Sequence, residues 1–157
     1  MTQEQTQAIE TTNASLNITN AEVGTMVTSF KANPKDRALS AKIFNALNNP
    51  TEKISAHINE EIEVENYLVE MVQIEDVDDF GNSLESFSKV PRVVLVSPDG
   101  TSYQAVSYGM ANVLRNIIAV AGDAPWSPAI GLKIKQVPTK NGSMLTAEMV
   151  QCLQPTR

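Results

Sequence analysis

Alternating apolar and polar positions in the middle of the chain predict β-strands. Residues 61–74 form one long strand in which Ile62, Val64 and Leu68 share one parity, whereas Tyr67 and Val69 share the other. The apolar positions change faces partway along, which is typical of a bent strand that serves two sides of a barrel. The acidic stretch 75–89 is predicted to be a loop, because it is polar and carries a turn signal at residues 79–82.

Two hairpins and one helix are predicted after this loop. Residues 91–97 and 101–108 are strands two and three, joined by a tight Pro-Asp-Gly turn. Apolar residues between Met110 and Ala121 recur with helical spacing, and Gly122 is a suitable end for that helix. Strands at 132–137 and 144–150 flank a turn at residues 140–142. This order predicts a mainly β, five-stranded OB-fold barrel with a helix between strands three and four. An α+β sheet with the helix on one face is the alternative.

The N-terminal part is predicted to lie outside the barrel. Residues 1–24 contain no aromatic residue and no base, so they are expected to form a flexible tail. The apolar run at 26–30 is a strand candidate. Asn33 is predicted to cap a helix that ends near Pro50 and packs against the barrel. The expected organisation is therefore a tail at 1–24, a strand and helix extension at 25–57, and the barrel domain at 58–152.

Residue types with catalytic potential are scarce. His57 is the only histidine and Cys152 the only cysteine, which argues against catalytic triads, zinc sites and an intrachain disulfide. An acidic cluster departs from the calcium-loop pattern, because phenylalanines stand where oxygen ligands are required; its members are Asp76, Asp78, Asp79 and Glu85. We therefore expect no enzyme, no cofactor and no bound metal. No apolar run is long enough for a membrane span and no leader pattern is present, so we expect a cytoplasmic protein.

The net charge of −6 is distributed unevenly. Residues 60–85 contain ten acids and no base, whereas residues 86–157 contain seven bases and three acids. Binding of phosphates needs a local basic surface and not a basic protein. The overall charge is therefore compatible with a nucleic-acid partner.

Aromatic and basic residues recur on the predicted strands and their loops. Exposed aromatic rings can stack on the bases of single strands with little sequence preference, while nearby cations hold the backbone. The residues predicted to line such a groove are Tyr67, Phe87, Arg92, Tyr103, Tyr108, Lys133, Lys135 and Lys140. Alternatives stay open for several of them. Tyr67 and Tyr103 also suit a half-buried barrel position, and Lys133 and Lys135 also suit an ordinary solvated face.

The segment 97–120, SPDGTSYQAVSYGMANVLRNIIAV, resembles the single-stranded DNA-binding proteins of tailed phages of Gram-positive hosts and related conjugative-plasmid proteins. The later LKIKQV at 132–137, the upstream segment 26–50 and VEMVQI at 69–74 are similar to the same family, so the resemblance covers about residues 25–150. It implies an OB-fold that coats single-stranded DNA during replication or transfer, without catalysis and with low sequence specificity.

Two further hypotheses assign the protein to other functional classes. An OB-type module could bind proteins, or act as a DNA mimic that presents the carboxylates of residues 60–85 to a nucleic-acid enzyme. A metal-dependent nuclease is the third. For the leading hypothesis the expected partner is single-stranded DNA in the cytoplasm of a bacterial host, with homo-oligomer contacts through the N-terminal tail and no membrane.

Overall fold

A computed structural model describes residues 21–140 and 142–150, so most of the predicted tail lies outside the described residues. The fold is mainly β, with two helices and a short 3₁₀ turn at Ile54–His57. The strands are β1 (Met26–Thr28), β2 (Glu52–Lys53), β3 (Glu61–Val64), β4 (Asn66–Val77), β5 (Ser83–Val96), β6 (Ser102–Val106), β7 (Ile130–Thr139) and β8 (Gly142–Val150). The helices are α1 (Arg37–Asn48) and α2 (Tyr108–Ala121).

The long strand predicted at 61–74 is divided at Glu65. The chain leaves β3 at Val64 and enters β4 at Asn66, and these two strands belong to different sheets. The amide of Glu65 donates to the carbonyl oxygen of Val96 at 2.8 Å, and its own carbonyl accepts from the amide of Trp126 at 3.0 Å. The apolar positions change faces because the chain passes from one sheet to the other at Glu65, whose backbone amide and carbonyl are both hydrogen-bonded.

The strands form two sheets, and the predicted closure into one barrel is wrong for this structure. One sheet has the order β1-β4-β5-β6-β2, and the other has the order β3-β7-β8. The pairing of β2 with β6 is parallel, and the other pairs are antiparallel. In the described part of the chain, β6 pairs with β5 and β2, and β8 pairs with β7 alone. The two sheets are therefore joined along one side and open between β6 and β8.

Most of the predicted loop at 75–89 is strand. β4 continues to Val77 and β5 begins at Ser83, so the two strands make one long hairpin. The distal part is stabilised by its own polar side chains: Asp76 accepts hydrogen bonds from the hydroxyls of Ser86 and Ser88, at 2.8 and 2.6 Å. Polar composition misled the prediction here, because a strand exposed on both faces needs no apolar alternation.

Helix α1 begins three residues later than predicted. Its cap is Asp36, whose carboxylate accepts from the amide of Leu39, and not Asn33. Ile43, Ala46 and Leu47 belong to a small apolar cluster with Leu68 of β4, Val94 and Val96 of β5, and Phe30 from the segment after β1. The helix thus covers part of the outer face of the five-stranded sheet, as the predicted position outside the barrel implied.

The main core lies between the two sheets and α2. Helix α2 is capped by Ser107, ends at Gly122 as predicted, and contributes Met110, Leu114 and Ile117 to the core. Val27 of β1 and Ile54 of the 3₁₀ turn belong to the same cluster, so segments assigned to the extension share the core of the predicted barrel domain. The open side between β6 and β8 is the feature that positions the candidate site.

Candidate nucleic-acid interface

Tyr67 is a core residue, so the prediction that it contacts DNA is wrong. Its side chain is 0 % exposed and lies beside Trp126, with ring centroids 5.9 Å apart. The hydroxyl of Tyr67 donates to a carboxylate oxygen of Asp123 at 2.8 Å. Burial raises the pKa of Tyr67 far above its usual range, and the bond to Asp123 acts in the same direction. A ring enclosed in this way has no free face for a base.

Lys133 and Lys135 lie on the outer face of the three-stranded sheet. The core takes Leu132 and Ile134 from the same strand, so the two lysines point the other way. Pairing places Lys133 opposite Glu61 on one side and Glu148 on the other, and the ammonium of Lys135 is 3.9 Å from a carboxylate oxygen of Glu148. Carboxylates therefore accompany these lysines, and the expectation that all eight predicted residues line one trough is wrong.

Arg92 is engaged within the protein. Its side chain is only 15 % exposed and donates to Gln104 at 3.1 Å, to Glu70 at 3.2 Å and to the carbonyl oxygen of Leu47. These bonds link β5 to β6, to β4 and to the C-terminal turn of α1. Arg92 therefore mainly stabilises the fold, and its hydrogen bond to Gln104 also orients that side chain.

The open side between β6 and β8 is a shallow groove of about 350 Å³. Its lining residues come from the β2 region, β6 and β8: Lys53, Ser55, Gln104, Ala105, Val106 and Leu145. Lys53 is exposed and forms no ion pair among the described residues. The groove thus combines a free cation with an oriented amide and apolar side chains.

Tyr108 follows the end of β6 and contacts β5 at Lys89. Its side chain is 43 % exposed, and its hydroxyl donates to the carbonyl oxygen of Lys89 at 2.7 Å. Phe87, which is 60 % exposed, lies two residues from Lys89 on the same face of β5. Two aromatic rings therefore flank an exposed lysine, which is the combination that stacking on single strands requires.

Tyr103 precedes Gln104 on β6 and packs towards the core. Its ring packs against the main core and contacts the ring of His57 edge to face, with centroids 5.2 Å apart. The two nitrogens of His57 bond to carboxylates of Glu52 at 3.0 Å and Glu60 at 2.8 Å. These hydrogen bonds, that of Glu52 most of all, raise the pKa of His57 despite the opposing effect of burial. Tyr103 is therefore half-buried at the margin of the surface.

The structure separates the eight predicted residues into groups. Phe87 and Tyr108 come together, Tyr103 lies at the margin, and Lys140 is exposed beside the β7–β8 turn. Lys53, Lys89 and Gln104 were missed as site residues. Lys89 lay in the predicted loop, and the position of Lys53 depends on the short parallel pair of β2 with β6, for which the sequence carries no periodic signal. We call Lys53, Phe87, Lys89, Gln104 and Tyr108 the open-edge surface. By strand register, Lys53 and Gln104 share the α1 face of the sheet with Val94, whereas Phe87 and Lys89 share the other face with Val93, so this surface includes both faces of the sheet at its edge.

No helix in the described ranges, 21–140 and 142–150, is long and apolar enough to cross a membrane. Two joined sheets with an open edge that carries aromatic and basic side chains define an architecture suited to an extended ligand. Comparison with protein families gives the class directly: the model of the phage single-stranded DNA-binding protein family matches residues 20–150. The chain therefore belongs to that family, as the sequence resemblance predicted. Searches of curated proteins and of solved structures find no match.

Proposed function

We propose that this protein coats and protects single-stranded DNA during replication or DNA transfer inside a bacterial host, with low sequence specificity and without catalysis. The observation that carries the proposal is the open-edge surface on a member of this family. Phe87 and Tyr108 would stack on bases, Lys53 and Lys89 would contact phosphates, and Gln104 would hydrogen-bond to the strand. None of these roles reads a particular base, so the proposed binding tolerates any sequence.

The proposed architecture is an OB-type barrel that is open along one seam. The β3–β4 segment acts as the long first strand, β5 and β6 as strands two and three, and β7 and β8 as strands four and five, with α2 between strands three and four. This order supports the assignment. The seam lies where strands three and five would pair, and it coincides with the groove beside Lys53.

The charge pattern supports a limited number of phosphate contacts. The open-edge surface has two free lysines, and Lys140 adds a third cation if a strand extends towards the β7–β8 turn. A surface of this kind gives binding that weakens as salt rises, because each neutralised phosphate releases counterions. The slope should be shallow, because only two or three phosphates would be neutralised.

Fluorescence anisotropy with a labelled oligo-dT and with a duplex of equal length, each at two salt concentrations, tests this function. We expect binding of the oligo-dT to be stronger and to weaken as salt rises. Equal affinity for the duplex, or no binding to either nucleic acid, contradicts the proposal.

A further inference from the structure

The end of the long β4–β5 hairpin exposes apolar side chains that no core uses. We call residues 77–85 the hairpin tip. Val77, Phe80 and Leu84 are exposed there, and the side chain of Phe80 is 89 % exposed. None of the three belongs to either apolar cluster of the described chain. Exposed apolar side chains grouped in this way mark an interaction site more often than a folding requirement.

The hairpin tip is rigid and not a loose loop. The carboxylate of Asp78 accepts from the amides of Phe80 at 2.8 Å and of Asn82 at 2.9 Å. These hydrogen bonds, that of the Asn82 amide most of all, hold the pKa of Asp78 below its usual range. The hydroxyl of Ser83 donates to Glu75 at 2.7 Å across the hairpin. A preformed tip loses little conformational entropy when it docks.

A complementary surface exists elsewhere on the same chain. We call the cavity lined by Met26, Thr28, Ser29, Phe30, Lys31, Ala32, Asp123 and Ala124 the β1 groove; its volume is about 400 Å³ and its walls are mostly apolar. It has room for one aromatic ring. Exposed Lys31 lies at the groove, Lys35 follows four residues later, and neither forms an ion pair among the residues described. The hairpin tip carries Asp78, Asp79 and Glu85 and no base. The single acid among the lining residues of the β1 groove is Asp123, whose carboxylate accepts a hydrogen bond from Tyr67, so Lys31 and Lys35 are the charges that face a docked tip.

A hairpin tip cannot reach the groove of its own molecule. Met26 of the groove pairs with Glu70 on β4, and the tip begins seven residues further along the same strand. At about 3.3 Å per residue, a regular strand carries the tip about 23 Å away from Met26. A hairpin tip that docks in this groove therefore has to come from another molecule.

We infer that the hairpin tip of one copy docks in the β1 groove of the next, with Phe80 in the cavity and Asp79 facing Lys31 and Lys35. The two contacting surfaces differ, so the contact is head to tail and can repeat without closing. An open array of this kind suits a linear nucleic acid. The role on DNA rests on the proposed function, whereas the contact between copies does not.

Two variants with opposite changes test the contact. Asp79→Lys reverses charge on the tip and keeps Phe80, and the double variant Lys31→Glu with Lys35→Glu reverses it at the groove. The matched control is Lys133→Glu with Lys135→Glu, which makes the same charge change on the outer face of the other sheet. Self-association is measured without DNA by sedimentation over a range of concentrations. Cooperativity is measured on long poly-dT, and intrinsic affinity on an oligo-dT that holds one molecule.

We expect the wild-type protein and the control to self-associate and to bind poly-dT cooperatively. Each reversed variant should lose at least about tenfold in cooperativity, or ~1.4 kcal/mol, with unchanged affinity for the short oligo-dT. Mixing the two reversed variants should restore association. The inference is overturned if the wild-type protein is monomeric and binds without cooperativity. It is also overturned if the reversed variants behave as the wild type, or if their mixture does not recover association. If the wild-type protein does not bind the short oligo-dT, the proposed function is contradicted but the contact between copies is not.

Discussion

The hydroxyl of Tyr108 donates to the carbonyl oxygen of Lys89 at 2.7 Å and so connects the first residue of α2 to β5. The bond holds the phenol ring while 43 % of the side chain stays exposed. A ring that is already ordered loses less entropy when a base stacks on it. This relationship makes Tyr108 the residue whose replacement should affect DNA binding most.

Replacing Tyr108 with alanine should weaken binding of oligo-dT by about 1 to 3 kcal/mol, because one stacking platform is removed. Tyr108→Phe keeps the ring but removes the hydrogen bond to Lys89 that holds it, so its loss of affinity should be smaller than that of Tyr108→Ala. Anisotropy titrations give both affinities. If Tyr108→Ala binds as tightly as the wild type, Tyr108 is not a stacking residue.

Two pairs of lysines should respond differently to replacement. Lys53→Ala with Lys89→Ala should lower the affinity and reduce the slope of log K against log salt by about 1.4, because each lost phosphate contact on a single strand contributes about 0.7. Lys133→Ala with Lys135→Ala should leave the slope unchanged, since those lysines lie among carboxylates on another face. Salt titrations of the two double variants measure this. A larger effect from the second pair would place the DNA on the outer face of the three-stranded sheet.

Arg92→Ala should act on stability before it acts on binding. The change removes charge-assisted hydrogen bonds to Glu70, Gln104 and Leu47, and we expect the free energy of unfolding to fall by about 2 kcal/mol. Denaturant titration measures the loss. Affinity for oligo-dT, determined where the variant is folded, should fall less than in Tyr108→Ala. An Arg92→Ala variant that is fully stable but binds DNA poorly would make Arg92 a direct contact.

The stability of the wild-type protein should decrease as pH rises through the pKa of His57. The bonds to Glu52 and Glu60 raise that pKa above the unfolded value of 6.5. The contribution of the protonated ring is therefore fully present below pH 6.5 and is lost as pH rises through the folded-state pKa. His57→Gln should lack this step. Thermal unfolding at a series of pH values compares the two proteins, and parallel profiles would refute the assignment.

The order of the elements could be predicted from the sequence because it depends on local signals. The helical spacing from Met110 to Ala121, Gly122 at the end of α2 and the two later hairpins all agree with the structure. Signals of this kind depend on a few neighbouring residues, so they can be recognised in a single sequence. The same signals were absent where a strand is solvated on both faces, which is why the distal β4–β5 hairpin was predicted to be a loop.

The composition of the site could be predicted only in part. Residue type marked Phe87 and Tyr108 as exposed stacking candidates, and it marked Tyr67 in the same way. Burial separates them, and burial depends on contacts between distant segments such as that of Tyr67 with Asp123. Lys133 and Lys135 were predicted by charge alone, whereas the neighbouring Glu61 and Glu148 come from strands paired on either side. Register between strands is therefore the information that the sequence pattern lacked.

Photo-cross-linking with oligo-dT that carries 5-bromodeoxyuridine, followed by mass spectrometry of the adducts, tests the location of the DNA most directly. Adducts on Phe87, Tyr108 or the residues between Tyr103 and Val106 are the predicted result. Adducts confined to the outer face around Lys133 and Lys135, or to α1, would contradict the assignment of the open-edge surface.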